Sequence, residues 1–254
     1  FMVNLIFLFI LLVSNPTDII YNPPGTVKVQ ENFYADRTEI TNLDYREFLY
    51  WLKTNYGEDS QEYLLQLPDT TLLDSQISKL YDLYFKHPEY NHFPVCLISY
   101  EQAISYCTWR TDRVNEHLYL KKNKLKSLPE NVIDIPEYCV YRLPSVKEWE
   151  KLAKIDYDEK TIKKLQKKGK TKLNCHNVSE SGFLEVINET KESIPNKIGI
   201  YDLFGNIAEM TSTKGIAKGG SFCNTEEDCY VGNNFDYKQA SLWLGFRCVC
   251  EKSE

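Results

Sequence analysis

The sequence predicts an α+β fold, and three observations support this prediction. Three segments before Gly199 have the apolar spacing of amphipathic helices, and each begins with a capping box. From Gly199 onward the glycine content rises and helical periodicity disappears, which is typical of turns and short strands. Eighteen tyrosines and twelve phenylalanines favour a loop-rich core pinned by aromatic side chains over a simple helix bundle.

Length and charge limit the classes of protein to consider. The 254 residues, of which 43% are hydrophobic, can bury one large core or two small ones. The sequence contains no internal repeat and no evident linker in mid-chain, so we expect one domain over residues 23–254. The net charge of −6 and the pI near 5.4 give no positive field for phosphates and therefore argue against a nucleic-acid partner.

The N-terminal segment is apolar. Residues 2–13 (MVNLIFLFILLV) have the length of the hydrophobic part of a signal peptide and are short for a membrane span. We therefore predict a signal-peptide-like apolar segment and linker over residues 1–22, and export to the periplasm, the outer membrane or the extracellular space. A buried N-terminal strand is the alternative. No cysteine follows the run at a lipobox position, so membrane association is expected only through the apolar segment itself.

The first predicted elements of the domain are a strand and a helix. Residues 27–30 (VKVQ) alternate between apolar and polar side chains, as a half-buried strand does. Thr41 and Asp44 then have the spacing of a capping box, and the helix after them presents apolar residues at i, i+3, i+4 and i+7. The residues of this face are Tyr45, Phe48, Leu49 and Leu52.

The same signals predict two further helices. One begins at Ser99, with Gln102 completing the capping box, and the other begins at Ser145, with Glu148 in the same role. The predicted inward faces are Ala103, Tyr106 and Cys107 in the first helix, and Trp149, Leu152 and Ala153 in the second.

Two polar insertions separate the predicted elements. They are Lys121–Lys126 and Asp156–Lys172, and the second contains seven lysines. We interpret both as solvated loops or exposed helix faces. The alternative is a binding surface for an acidic partner.

The cysteine content favours an oxidising compartment because the number is even. The eight residues are Cys96, Cys107, Cys139, Cys175, Cys223, Cys229, Cys248 and Cys250. There is no CxxC pair, and the only histidine beside a cysteine is His176, so we do not expect a structural zinc site. Spacing does not fix the connectivity: Cys139 with Cys250 and Cys96 with Cys175 are possible pairs.

Six segments, in order along the chain, resemble the formylglycine-generating enzyme superfamily, also called the sulfatase-modifying factors. They are Thr38–Asn42 with Tyr45 and Phe48; Pro94–Ala103 with Tyr106–Trp109; Tyr141–Glu150; Gly199–Glu209; Gly219–Ser221; and Leu244–Cys248. Each segment is short, but together they cover nearly all the chain after residue 26. The resemblance implies an elaborated C-type lectin-like fold with low regular secondary structure, within the α+β class.

The resemblance also implies a disulfide. In the enzyme, a bridge links the cysteine of the YCxW helix to the cysteine of the terminal GFRC strand. Carried over to this sequence, it would join Cys107 to Cys248, and buried free thiols are the alternative. Closing so long a loop could stabilise the domain by about 4 kcal/mol in the chain-entropy model.

A calcium site is implied in the same way. The segment Gly199–Glu209 is similar to the family's calcium loop, in which hard oxygen ligands surround the ion. Carried over, Asp202 and Glu209 would supply carboxylates, while Gly205 and Ile207 would supply carbonyl oxygens. The alternative is a loop of the same shape held by hydrogen bonds alone.

The cysteines that correspond to the catalytic pair of the enzyme have a different spacing in this chain. In the active family two cysteine thiolates bind copper(I), and they follow the Gly-Gly-Ser turn with four residues between them. In this chain Cys223 and Cys229 have five residues between them, so Cys229 falls on the second ligand position and Cys223 lies one residue early. In an extended segment a one-residue slip turns the side chain to the opposite face. A disulfide or structural thiols are therefore expected here, and a working copper pair is the alternative.

Two segments indicate a function. Thr38–Lys53 and Cys107–Glu116 look most like the non-catalytic gliding-motility and type IX secretion lipoproteins of Bacteroidota, which use this fold structurally. We therefore expect a non-catalytic scaffold or binding protein with protein partners in the cell envelope. One alternative is a copper-dependent oxidase that converts a protein cysteine to formylglycine in sulfatases. Another is a lectin-like ligand-binding module, which the fold permits but does not by itself support.

Overall fold

The computed structural model describes residues 22–253 apart from 74, 130, 131 and 133. Within these residues the helices are α1 (Asn42–Tyr56), α2 (Gln61–Leu64), α3 (Ser75–Lys86), α4 (Tyr100–Asn123), α5 (Val146–Ala153), α6 (Glu159–Gln166) and α7 (Phe183–Val186). The strands are β1 (Thr26–Gln30), β2 (Phe33–Asp36), β3 (Cys139–Arg142), β4 (Ala208–Met210), β5 (Ile216–Lys218), β6 (Phe235–Asp236), β7 (Leu244–Gly245) and β8 (Val249–Lys252). The predicted α+β class is confirmed. All but the last residue of the predicted signal-peptide-like segment lies outside the described residues.

The strands form two four-stranded sheets. The first has the order β1-β2-β8-β3 and is antiparallel throughout, so it joins the beginning of the domain to its end: Tyr34 lies opposite Cys250. The second has the order β6-β5-β4-β7, and its β4–β7 pair is parallel, with Glu209 opposite Gly245. This parallel pair brings two of the six motif segments side by side.

The three predicted helices are confirmed as α1, α4 and α5. Each begins with the predicted capping box, in which the side chain of Thr41, Ser99 or Ser145 accepts a hydrogen bond from a backbone amide three residues on. Such a cap contributes about 1 kcal/mol to helix stability. All ten side chains predicted to face inward on these helices are buried.

Aromatic side chains connect the helices to the C-terminal segment. Tyr45 of α1 stacks on Tyr106 of α4, with ring centroids 5.9 Å apart. Tyr106 in turn makes an edge contact with Phe246, at 5.5 Å. Because such pairs contribute beyond their buried area, this core holds the segment between β7 and β8 in a fixed position.

Several helices were not predicted from the sequence. Helix α3 buries Tyr81, Tyr84 and Phe85 in the main core. Helix α6 lies inside the polar insertion Asp156–Lys172, which is therefore in part an exposed helix. No helix in the described part of the chain is long and apolar enough to span a bilayer.

Candidate functional site

A cluster of charged and polar side chains lies buried in the protein. We call it the Arg247 cluster, and its members are Glu39, Asp202, Asn206, Glu209 and Arg247. At most 5% of any of these residues is exposed to solvent. Glu39 precedes α1, Glu209 lies on β4, and Arg247 lies between β7 and β8, so the cluster draws on distant parts of the chain.

Arg247 and Glu209 form a paired, fully buried salt bridge. Arg247 Nε and Nη2 donate to Glu209 Oε2 and Oε1, both at 2.6 Å, and Trp149 Nε1 donates to Oε2 at 2.8 Å. Arg247 also donates to backbone carbonyl oxygens, including that of Tyr201 at 2.9 Å. Burial opposes the charged guanidinium, but the carboxylate of Glu209 outweighs it, and the pKa of Arg247 is raised. The pair is an internal, satisfied ion pair.

Glu39 is the one incompletely satisfied carboxyl group of the cluster. Its Oε1 accepts a hydrogen bond from Asn206 Nδ2 at 3.0 Å, whereas its buried Oε2 has no hydrogen-bond partner. Burial raises the pKa of Glu39 well above its ordinary value, and the nearby Asp202 adds to the rise, while Arg247 opposes it. The side chain is therefore held in its protonated, neutral form over a wider pH range than an exposed glutamate.

The loop before β4 has left-handed backbone conformations at three positions. Asp202, Gly205 and Asn206 have φ values of 56°, 78° and 62°. Glycine is required at 205, because a Cβ atom there would lie 2.4 Å from the carbonyl oxygen of Asn174. The Asp202 carboxylate accepts hydrogen bonds from the backbone amides of Lys191 and Ser193. Burial raises the pKa of Asp202, and these hydrogen bonds oppose the rise without cancelling it.

This geometry bears on the predicted calcium ligands. Both carboxylate oxygens of Glu209 are already bound to Arg247, and a calcium ion at the same group would be repelled by the guanidinium. Asp202 is engaged by backbone amides. Within the described residues, no group of three or more His, Cys, Asp or Glu side chains is placed to hold a metal ion. As arranged here, Asp202, Gly205, Ile207 and Glu209 do not fit a calcium site, and calcium binding stays a prediction.

The second candidate site is the cysteine turn, defined as residues 219–229. Gly220 has a φ of 72°, and a Cβ atom there would lie 2.7 Å from Cys229 Sγ. Ser221 and Asn224 form a local turn in which Asn224 Oδ1 accepts from the Ser221 amide at 2.9 Å. The amide of Phe222 donates to the carbonyl oxygen of Asn206 at 2.9 Å. The turn is thus attached directly to the loop of the Arg247 cluster.

Cys229 is joined to Cys175 by a disulfide. The segment around Cys175 runs along the cysteine turn, and the amide of His176 donates to the carbonyl oxygen of Phe222 at 3.2 Å. This placement brings Cys175 to Cys229 and not to Cys96, which is a buried free thiol. The structure therefore differs from a pairing of Cys96 with Cys175, and from one within the turn.

Cys223 is a free, half-buried thiol. Burial raises its pKa to about 11, and the nearby carboxyl group of Glu180 adds to the rise, while a hydrogen bond with Ser221 opposes it. At neutral pH the group is a protonated thiol, which is a weak nucleophile and a poor metal ligand. The predicted catalytic residues Cys223 and Cys229 are thus neighbours on one turn but are not two thiolates in this structure.

Two further thiol pairs lie close together. The sulfur atoms of Cys107 and Cys248 are 3.5 Å apart and not bonded. The thiols of Cys139 and Cys250, on the neighbouring strands β3 and β8, interact through a hydrogen bond. The disulfide that the resemblance implies between Cys107 and Cys248 stays a prediction.

Sequence reasoning assigned no role to Arg247, Glu39 or Asn206, and it offered Cys96, not Cys229, as a partner for Cys175. Arg247 carries a charge inside an otherwise apolar segment, GFRC, and this placement is itself a signal for a buried ion pair or hydrogen bond. Glu39 lies in the polar segment TEIT, which carries no comparable signal. Cys175 offered no such signal, because its partner lies 54 residues away and connectivity does not follow from spacing.

Comparisons of the sequence with known proteins found one matching family and one curated relative. A sequence model of the family described as "Sulfatase-modifying factor enzyme 1-like domain" matches residues 11–252. The formylglycine-generating enzyme of Mus musculus is 23% identical over 261 residues, covering 87% of this chain and 66% of that relative. The chain therefore spans just under two thirds of that relative's length.

Three solved structures are similar to this chain. CarF is 19% identical with a TM-score of 0.47, and the similarity covers 87% of both chains. Treponema denticola variable protein 1 is 18% identical, with a TM-score of 0.47 and coverage of 86% and 84%. PvdO from Pseudomonas aeruginosa is 15% identical, with a TM-score of 0.48 and coverage of 87% and 80%. Because the family match extends over nearly the whole chain, the protein belongs to the sulfatase-modifying factor (formylglycine-generating enzyme-like) family.

Proposed function

We propose that this protein is a non-catalytic scaffold or binding protein of the cell envelope, which uses the sulfatase-modifying factor fold in gliding motility or protein secretion. The observation that carries the proposal is the bond between Cys229 and Cys175. Cys229 occupies the second copper-ligand position by resemblance, and a sulfur atom in a disulfide is not a thiolate ligand. One thiol remains at the turn, where the enzyme requires two.

The environment of the remaining thiol supports the same proposal. Cys223 has a pKa raised to about 11, so it must lose a tightly held proton before it can bind copper(I). Between the two cysteines stand Glu226, Glu227 and Asp228, which are exposed. The family's enzymes carry basic and aromatic residues there to receive substrate. Three carboxylates at this position alter the electrostatics of any peptide-binding surface.

A turnover assay tests the proposal. The purified protein, oxidised and fully reduced, is incubated with copper(I), dioxygen and a cysteine-containing sulfatase peptide, and formylglycine is sought by mass spectrometry. The variant Cys175→Ser is assayed in parallel, because it frees Cys229 without adding bulk. We expect no formylglycine in any of the three samples. Product from the reduced wild-type protein or from C175S would overturn the non-catalytic assignment.

The copper-dependent oxidase is the second candidate. It is favoured by one observation, the similarity to the mouse formylglycine-generating enzyme over 87% of this chain. This function would require reduction of the Cys175–Cys229 bond and movement of Cys223 toward Cys229. Copper(I) titration of the reduced protein separates the candidates: an oxidase binds one copper with loss of two titratable thiols, and a scaffold binds none at the turn.

The scaffold role has its own test. Envelope fractions are passed over the immobilised protein, and bound proteins are identified by mass spectrometry. We expect components of the secretion or motility machinery to be retained by the wild-type protein and lost after its thermal unfolding. Retention of only abundant proteins, equal before and after unfolding, would contradict the scaffold role while leaving the turnover assay unaffected.

A further inference from the structure

The lysines of this chain are distributed unevenly. Residues 160–172 contain seven lysines and no aspartate or glutamate, which gives this segment a charge of +7 in a chain of net charge −6. The rest of the chain therefore carries −13. A positive patch of this size on an acidic protein creates a local field that attracts anions at short range.

Helix α6 presents these charges on its exposed side. Ile162 and Leu165 are half-buried, whereas Lys163, Lys164 and Lys167 are exposed. Neither these three lysines nor Lys160 and Lys168 has a carboxylate partner within 4 Å in the described part of the chain. Lysines three and four positions apart on a helix repel each other, so an anion bound along this face would relieve a repulsion that the folded chain does not itself neutralise.

A cleft of about 820 Å³ adjoins the helix. Its lining includes Tyr157, Lys160, Lys172 and Lys197, together with the carboxylates of Asp156 and its neighbours. Lys172 Nζ lies 4.3 Å from the centre of the Tyr157 ring. The cleft thus combines cations, carboxylates and an aromatic ring, a mixture that can bind sulfate or carboxylate groups and hydroxyl groups at the same time.

We propose that α6 and this cleft bind an anionic polysaccharide, such as a sulfated or uronate-containing chain. Its charged groups would contact the lysines, and its hydroxyl groups would donate to the carboxylates of the cleft. A lipid surface suits the site less well, because the only large apolar side chains of the helix, Ile162 and Leu165, are half-buried and the helix exposes no apolar anchor. Nucleic acid also suits it less well, because bases need free aromatic faces and Lys172 covers a face of Tyr157.

Binding is measured by isothermal titration calorimetry with dextran sulfate and with polygalacturonate, each at low and at moderate salt concentration. Neutral dextran serves as the uncharged control. The test variant is K163Q/K164Q/K167Q. The matched control is K121Q/K122Q/K126Q, which removes three exposed lysines from the other polar insertion and changes the net charge equally. Glutamine has a helix propensity close to that of lysine, so both variants should fold, as circular dichroism will verify.

We expect the α6 variant to lose affinity for a charged polysaccharide by about tenfold and the control by less than twofold. Neutral dextran should not bind. Equal losses in the two variants would mean a general charge effect and would overturn the proposal. Equal or tighter binding of anionic lipid vesicles or of single-stranded DNA at the same salt concentration would overturn it too. These outcomes are independent of the turnover assay.

Discussion

The Arg247 cluster and the cysteine turn are adjacent but differ in whether their reactive and charged groups have partners inside the protein. In the cluster, the charges of Arg247 and Glu209 meet in a paired salt bridge inside the protein. In the turn, Cys229 is bonded outside the turn to Cys175, and Cys223 remains a half-buried thiol beside exposed carboxylates. A hydrogen bond from the amide of Phe222 joins the two regions.

The two regions therefore differ in role: the cluster holds parts of the fold together, whereas the turn carries the side chains that could react. The residues of the cluster lie in segments that resemble the family, and their contacts hold β4 to the segment between β7 and β8. The turn is where this sequence departs from the cysteine spacing of the family, and in this structure one of its two cysteines is bonded to Cys175. A buried ion pair is strongly destabilising to break, whereas a partly exposed turn tolerates change. We therefore expect variants of the Arg247–Glu209 salt bridge to affect stability most, and variants of the turn to affect thiol reactivity as well as stability.

The largest effect is expected from Glu209→Gln. The variant removes the carboxylate that is hydrogen-bonded to Arg247 and leaves the buried guanidinium without its paired charge, which should lower the free energy of unfolding by about 4 kcal/mol. Urea denaturation followed by circular dichroism measures the loss. The double variant E209L/R247M should recover at least half of it, because neither charge then stays unpaired. A loss below 1 kcal/mol in E209Q would contradict the central role of this salt bridge.

The disulfide of the turn comes second. The double variant C175S/C229S opens a loop with a sequence separation of 54 residues, and the unfolded chain gains entropy. We expect a loss of about 3 kcal/mol in the non-reduced protein. Cys223→Ser is the matched control and should change stability by less than 1 kcal/mol. If reductant affects the wild type and the double variant equally, the Cys175–Cys229 bond is not the one that stabilises the fold.

Peptide mapping without reductant extends this test to the other thiol pairs. If Cys107 bonds to Cys248 and Cys139 to Cys250 in an oxidising compartment, only Cys96 and Cys223 remain titratable in the unfolded protein. Four or more reactive thiols in addition to these two would mean that neither pair forms a disulfide, as expected for a protein of a reducing compartment.

The sequence signals that predicted the helices lie within a few residues of one another. The features that were not predicted depend on residues far apart in the chain. Three helices were predicted from their N-terminal caps, Thr41, Ser99 and Ser145, because a cap and the apolar face that follows it lie within one or two helical turns. The pairing of Tyr34 with Cys250, by contrast, joins the two ends of the domain, and no periodicity encodes it. The same holds for the bond between Cys175 and Cys229.

Reactivity at the turn should distinguish Cys223 from an ordinary cysteine. With a pKa near 11 its thiolate fraction at neutral pH is lower than that of a thiol of pKa 9. The greater nucleophilicity of the rarer thiolate compensates in part, so we expect alkylation by iodoacetamide to be about tenfold slower than for the unfolded chain. The rate should continue to rise up to pH 10. A rate that levels off below pH 8 would indicate an activated thiolate and would revive the catalytic interpretation.

Glu39→Gln provides the contrast to Glu209→Gln within one cluster. Because burial raises the pKa of Glu39 well above its ordinary value, an amide of the same shape should leave stability at pH 7 within about 1 kcal/mol of the wild type or above it. The folded pKa lies above the unfolded one, so wild-type stability falls as pH rises above about 4 until the folded pKa is passed. E39Q should lack this contribution to the slope. A strong destabilisation by E39Q would mean that Glu39 is ionised and pairs with Arg247.

The smallest effect is expected from calcium. An ion bound by Asp202 and the carbonyl oxygens of Gly205 and Ile207 would have to share Glu209 with Arg247, so we expect weak binding. At a calcium concentration near the dissociation constant, the gain corresponds to a rise in Tm of about 1 °C. Differential scanning fluorimetry with 10 mM calcium, against an equal ionic strength of magnesium, measures it, and Asp202→Asn should abolish the rise. A rise several times larger would show that calcium displaces Arg247 from Glu209, and the cluster would then be a metal site closed by the guanidinium only when the ion is absent.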